Sequence, residues 1–143
     1  MRTPLRFLLA VVALIVFAVA ACGNDPGAPS HGSAVVTLDV FSGLPNPTWM
    51  LDDDQAAELL AGWEELPATT GGPYPATLGY RGVIIAFADG WRLVVADGVA
   101  IDQDSGAARA DSYRDLERQI LETGHGTVDP TLLDSVLAEI DRR

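Results

Sequence analysis

The sequence predicts an α+β two-layer sandwich, an antiparallel sheet with helices packed on it, in the order β-α-β-β-β-α-α. Three observations predict it. Two Asp-Gly pairs punctuate a run of short apolar segments between Val83 and Asp102, a strong hairpin signal because both turn residues need positive φ. A lone apolar strand followed by a helical pattern precedes that run, and two amphipathic segments close the chain. Antiparallel strands with segregated helices define the α+β class.

The first strand is Ala34 to Phe41, AVVTLDVF, β-branched and apolar. Val36, Leu38 and Val40 share one face, and Val35, Thr37, Asp39 and Phe41 take the other. Turn-forming residues Ser42 to Pro47 end it. A helix follows from Asp53 to about Leu66, with Asp52 as its cap and Gln55 three residues on, the spacing of a capping box. Ala56, Leu59, Leu60 and Trp63 recur at helical spacing, and Pro67 stops the helix. The triple Asp52-Asp53-Asp54 suits the amide-rich first turn of a helix better than calcium. Ala68 to Thr77 is a Gly/Pro-rich loop carrying Tyr74.

Val83–Ala88, Trp91–Ala96 and Val99–Asp102 then form a three-stranded meander through two-residue turns at Asp89-Gly90 and Asp97-Gly98. That register puts Val83, Ile85 and Phe87 on a face with Val94, Ala96, Val99 and Ile101. Ile84, Ala86, Leu93, Val95 and Trp91 take the other. Both faces are apolar, so both need cover. Ser112 is the expected cap of the next helix, striped by Tyr113, Leu116, Ile120 and Leu121 and stopped near Gly124. Asp129-Pro130 opens the last, lined by Leu133, Val136, Leu137 and Ile140. Pattern alone leaves open whether the first strand pairs beside Val83–Ala88 or Val99–Asp102.

The amino terminus reads differently. Arg2 and Arg6 precede an apolar stretch from Phe7 to Ala21. Fifteen residues make a helix of roughly 22 Å, short of the ~30 Å hydrocarbon core, and fit a secretory signal. The stretch ends Val19-Ala20-Ala21-Cys22-Gly23, which resembles the lipobox of bacterial lipoproteins. The resemblance implies cleavage before Cys22, diacylglycerol on its thiol and often a further acyl chain such as palmitate. Residues 1–21 are then a signal peptide, and Cys22 to Ser33 a lipidated cysteine and flexible tether. His31 is expected to be incidental there. Residues 34–143 form a single domain. Cys22 is the only cysteine, so lipidation leaves no thiol for a disulfide.

Charge narrows the functional classes. The full chain carries a formal net charge of -11, and losing two leader arginines brings the mature charge to about -13. Such a field repels nucleic acid and anionic head groups.

Val40-Phe41-Ser42-Gly43-Leu44-Pro45-Asn46-Pro47-Thr48-Trp49, continuing to Leu51, resembles a motif of uncharacterised secreted and lipoprotein sequences, roughly V-F-S-G-x-P-N-P-x-W-x-L. Leu78-Gly79-Tyr80-Arg81-Gly82 also looks like part of it. The resemblance implies no activity and carries no catalytic residues. Physically, two prolines around Asn46 stiffen the loop. Trp49 then either packs over the core edge to fix the corner, or forms a binding rim in which Trp49, Tyr80, Arg81 and Asn46 meet a ligand.

Other candidates are weaker. Asp102-Gln103-Asp104-Ser105-Gly106 starts like a calcium loop, but its glycine comes one position early and no Glu closes it; it reads as a solvated turn. His125 lacks the partners of a zinc ligand. Ser42 and Ser112 lack a histidine partner for a triad, and no P-loop or dinucleotide fingerprint occurs. The expectation is a lipid-anchored, extracytoplasmic binding or interaction module at the bacterial cell membrane. It needs no cofactor or metal. Its partners are the membrane, through the anchor, and an envelope protein or ligand. Two alternatives stay open: an exported enzyme using carboxylates such as Asp39 or Asp102, or an assembly partner using the second sheet face.

Overall fold

A computed structural model describes residues 31–72, 75 and 79–142. The leader, Cys22, the tether as far as Ser30, Tyr74 and Leu78 lie outside the described residues. Among the described residues no helix is long and apolar enough to cross a membrane.

The elements are β1 (Ala34–Asp39), β2 (Thr48–Leu51), α1 (Asp53–Glu65), β3 (Ala68–Thr69), β4 (Gly82–Phe87), β5 (Arg92–Ala96), β6 (Val99–Asp102), β7 (Ala108–Ala110), α2 (Asp115–Glu122) and α3 (Pro130–Ile140). The strands form one sheet in the order β2-β1-β4-β5-β6-β7-β3, and every neighbouring pair is antiparallel. The described residues therefore form an α+β sandwich of one antiparallel sheet and three helices.

The core lies between the helices and one sheet face. Val36, Leu38, Trp49, Leu51, Val83, Ile85, Phe87, Leu93, Val95 and Ala100 from the strands pack in it with Ala56 and Leu59 of α1, Leu116, Ile120 and Leu121 of α2, and Leu133, Val136 and Ile140 of α3. The remaining stripe residues Leu60, Trp63 and Leu137 are partly buried against it. Period-2 alternation puts every second strand residue on this face. The observed pairing settles the place of the first strand: β1 lies beside β4, with Val36 opposite Ile85 and Leu38 opposite Val83.

The meander's register differs from expectation by one residue. The first turn is a three-residue loop, Ala88-Asp89-Gly90, because Phe87, not Ala88, pairs with Trp91: the Phe87 amide donates to the Trp91 carbonyl at 2.9 Å. Gly90, at φ +96°, supplies the left-handed position of this bulged loop. A one-residue shift moves every side chain to the other face. Val83, Ile85 and Phe87 thus share the helix-covered face with Leu93 and Val95, opposite Val94, Ala96, Val99 and Ile101. The second turn is as expected, with Asp97 and Gly98 both at positive φ, 52° and 79°.

Three short strands go beyond the expected order. β2 is four residues beyond two prolines, with Trp49 and Leu51 turned inward and Thr48 and Met50 outward. β3 and β7 have two and three residues, too few to show a period. They extend the sheet past β6, so β3 lies at one edge and β4 in the middle. Gly71, Gly72 and Pro75 lie over the second face, beside Ala108, Ile101 and Val94. They contribute to the burial of Val94, Ala96 and Ala108 on this face. Gly82, at φ +135°, begins β4 where a Cβ would stand 2.6 Å from the Ala96 Cβ and 2.7 Å from the Val95 carbonyl oxygen. The site admits no side chain.

The helix ends follow local chemistry, with one correction. Asp52 and Gln55 form the reciprocal capping box of α1, and Asp129 accepts from the Leu132 amide with Pro130 in the first turn of α3. For α2 the expected Ser112 is exposed and the work is done by buried Asp111, which accepts from the amides of Leu116 and Glu117. Arg114 takes a left-handed conformation just before the helix, letting a carboxylate from further back reach the free amides. Tyr113 is displaced with this turn and is 86% exposed rather than part of the stripe.

Candidate functional site

The four residues named for a binding rim fall into two separate settings. Trp49 is 4% exposed on the helix-covered face, and its indole N–H donates to Thr123 Oγ1 at 2.8 Å, just after α2. Tyr80, 7% exposed, donates its hydroxyl to Glu117 Oε1 of α2 at 2.6 Å. Asn46 and Arg81 meet elsewhere, around Asp39. Asn46 Oδ1 accepts from the amides of Val40 and Phe41 at 3.1 and 2.8 Å, and its Nδ2 donates to Asp39 Oδ1 at 2.9 Å. Arg81 grips Asp39 through Nε, at 2.9 Å, and a short Nη2 contact, and also donates to Ser42 Oγ and the Phe41 carbonyl. The prolines around Asn46 hold it where it satisfies amides that leave the sheet at the end of β1. Asp39 alternates with Val35 and Thr37 onto the second face, away from Asp102, which shares its face with Leu93. The two carboxylates considered for catalysis are therefore on opposite sides of the sheet.

A different region forms a groove of about 370 Å³, lined by His31, Gly32, Asp53, Ala57, Leu60, Ala61, Trp63, Glu64, Trp91 and Asp102. It runs between α1 and the end of the sheet where the β4–β5 loop and the β6–β7 turn meet. Residues 53, 57, 61 and 64 recur at helical spacing along one flank of α1, and the two alanines there leave room beside the sheet. Trp63 and Trp91 meet edge to face with centroids 5.4 Å apart. Phe87 lies 4.9 Å from Trp91. His31 stacks on Trp91 at 4.7 Å and 22°, with Nδ1 2.5 Å from Asp89 Oδ2. The tether expected to reach Ser33 thus docks on the domain from His31 onward, and His31 becomes a wall of the groove.

Asp102 is 8% exposed. Burial opposes its charge, but bonds from the Ser105 hydroxyl, the Asp104 and Ser105 amides and the Trp91 indole outweigh that penalty and hold its carboxyl below the ordinary range. The stretch that starts like a calcium loop is thus a turn closed on its own first carboxylate, with the Gly106 amide donating back to the Asp102 carbonyl at 2.9 Å. Among the described residues Asp53, Glu64 and Asp102 form no ion pair. The nearby Arg109 instead donates to the Glu64 and Leu66 carbonyls at the end of α1, where a cation suits the helix dipole, and lies 4.4 Å over the Trp63 ring. The Trp63 Nε1 is buried with no acceptor among the described residues.

Sequence reasoning placed Trp63 in a core stripe, set His31 aside and read Trp91 in the slipped register. The legible signal was the pair Ala57 and Ala61 on the polar flank of a helix whose stripe ends in Trp63, facing a hairpin that starts with Trp91. No protein-family model, curated protein or solved structure matches the chain.

Proposed function

We propose that this chain is a lipid-anchored binding module on the extracytoplasmic face of a bacterial cell membrane, with the groove beside α1 as its binding site. The anchor rests on the lipobox-like Val19-Ala20-Ala21-Cys22. The binding reading is carried by one observation: an aromatic and apolar groove of about 370 Å³ with carboxylates in its wall, in the size and composition range of small-molecule sites. It lies where the amino-terminal segment joins the domain, so a tethered module presents it close to the bilayer. The Trp49, Tyr80, Arg81 and Asn46 set supports this role by holding the sheet and α2 in place.

Mass spectrometry of the protein from native membranes should find diacylglycerol on Cys22 and a mature terminus at that residue. An unmodified thiol, or a C22S variant that stays membrane-bound, overturns the anchor. Crosslinking of the lipidated protein in membranes should capture an envelope component that is lost with Ala61→Leu, a substitution that fills the groove from an exposed position. Undiminished capture by that variant removes the groove from the function.

A further inference from the structure

We propose that the groove takes a small organic cation, with its charge facing Asp102 and its apolar body against Ala57, Ala61, Trp63 and Trp91. The inference rests on the binding-module reading and names the ligand class. Its basis is a charge without a counter-charge. Asp102 is more than nine-tenths buried and lines the groove, yet its partners are amides, a hydroxyl and an indole N–H, all neutral. Buried carboxylates are ordinarily paired. Among the described residues no cation pairs with it, and Asp102 lines the groove.

The other lining charges agree. Asp53 and Glu64 are acidic, and among the described residues of the wall the one basic side chain, His31, is committed to Asp89. An anionic ligand meets repulsion from all three carboxylates. A neutral polyol brings no charge of opposite sign to Asp102, whose carboxylate its own turn already holds ionised. A bare divalent ion lacks ligands, since among the described residues no three acidic, histidine or cysteine side chains converge. An organic cation both answers the charge and covers the aromatic wall. A volume of about 370 Å³ lies at the low end of the range of small-molecule sites, which sets a small ligand. The chain's net charge of -11 raises the local concentration of such cations. The His31 imidazole on Trp91 shows that a flat nitrogen ring can lie there.

Titration of the lipidated chain in neutral detergent with benzamidinium, followed by tryptophan fluorescence, tests the inference. Benzamide is the neutral match in shape, and methyl glucoside the neutral polyol. Benzamidinium should quench saturably and bind at least tenfold more tightly than benzamide. Glu64→Gln should weaken it about threefold, and Ala61→Leu should abolish it with the circular dichroism unchanged. Asp102→Asn should remove the preference for benzamidinium, and Glu64→Gln covers the case in which that variant unfolds. Equal affinity for benzamide, or tighter binding of methyl glucoside lost in Ala61→Leu, overturns the cationic class and leaves the binding module standing. Benzamidinium binding unaffected by Ala61→Leu, or no binding of any probe, overturns the inference outright; crosslinking in membranes then decides separately whether the groove binds anything.

Discussion

Replacing Glu117 by glutamine separates two carboxyl groups that the fold treats in opposite ways. Glu117 is fully buried; burial pushes its carboxyl above the ordinary 4.5, against the Tyr80 hydroxyl bond and the charge of Arg114. A carboxyl raised in the fold keeps a proton that the unfolded chain has released. Its contribution is complete below about pH 4.5 and is lost as pH rises through the folded value. Glu117→Gln should remove that decline and be at least as stable as the parent at pH 7 in urea denaturation, whereas Glu117→Ala should cost about 2–3 kcal/mol by removing the buried acceptor of the Tyr80 hydroxyl bond. Identical pH dependence in parent and glutamine variant would show that the buried carboxyl does not take up a proton. Asp102 has the reverse sign: its folded value is lowered from 3.8, so its contribution is present above that pH and is lost as pH falls through the folded value. Asn46 supports the loop with three bonds. Asn46→Ala should lower stability by about 2 kcal/mol while leaving ligand binding in the groove unchanged, as calorimetry and fluorescence titration would read.

At the scale of elements, the β4–β5 loop carries the most information. Deleting Ala88 would leave the two-residue Asp89-Gly90 turn and turn Trp91, Leu93 and Val95 away from the helices. Leu93 and Val95 belong to the core and Trp91 packs against it; losing all three, at about 2–5 kcal/mol each, is comparable with the ~5–15 kcal/mol by which a domain is stable. The variant should therefore lack near-ultraviolet dichroism and dispersed amide resonances; a folded variant would show that the loop does not set the register. This loop also shows how far the sequence could be read. Asp-Gly located the hairpins, and capping at Asp52 and Asp129 located two helices, because these signals act within four residues. The choice between a two- and a three-residue loop depends on which face the helices cover, which is a property of the assembled sandwich. Likewise Asp111 caps α2 from beyond the usual position, and Arg81 meets Asp39 across 42 residues of chain. The groove was the least legible, since space beside Ala57 and Ala61 exists only once β5 and β6 stand opposite.

For the whole molecule, charge and topology set the behaviour. A net charge of -11 with most acidic groups exposed makes the folded state repel itself at low ionic strength. Raising salt from about 0.01 to 0.5 M shortens screening from ~30 Å to under ~8 Å. The melting temperature should rise by about 4 °C, equivalent to about 1 kcal/mol; an unchanged or falling temperature would place the dominant electrostatics in the ion pairs such as Arg118–Asp141. Topology acts on assembly rather than on the finished state. β1 is the earliest strand along the chain, yet it is built into the interior of the sheet between β2 and β4. Its pairing with β4 closes a loop of about forty residues, an entropic cost met only after the local β4–β5–β6 hairpins have zipped. Until then β4 presents an unpaired apolar edge, the kind of template on which strands of other chains add. Substitutions that slow the docking of Ala34–Asp39 should therefore divert newly made protein into aggregates even where the completed domain is barely weakened.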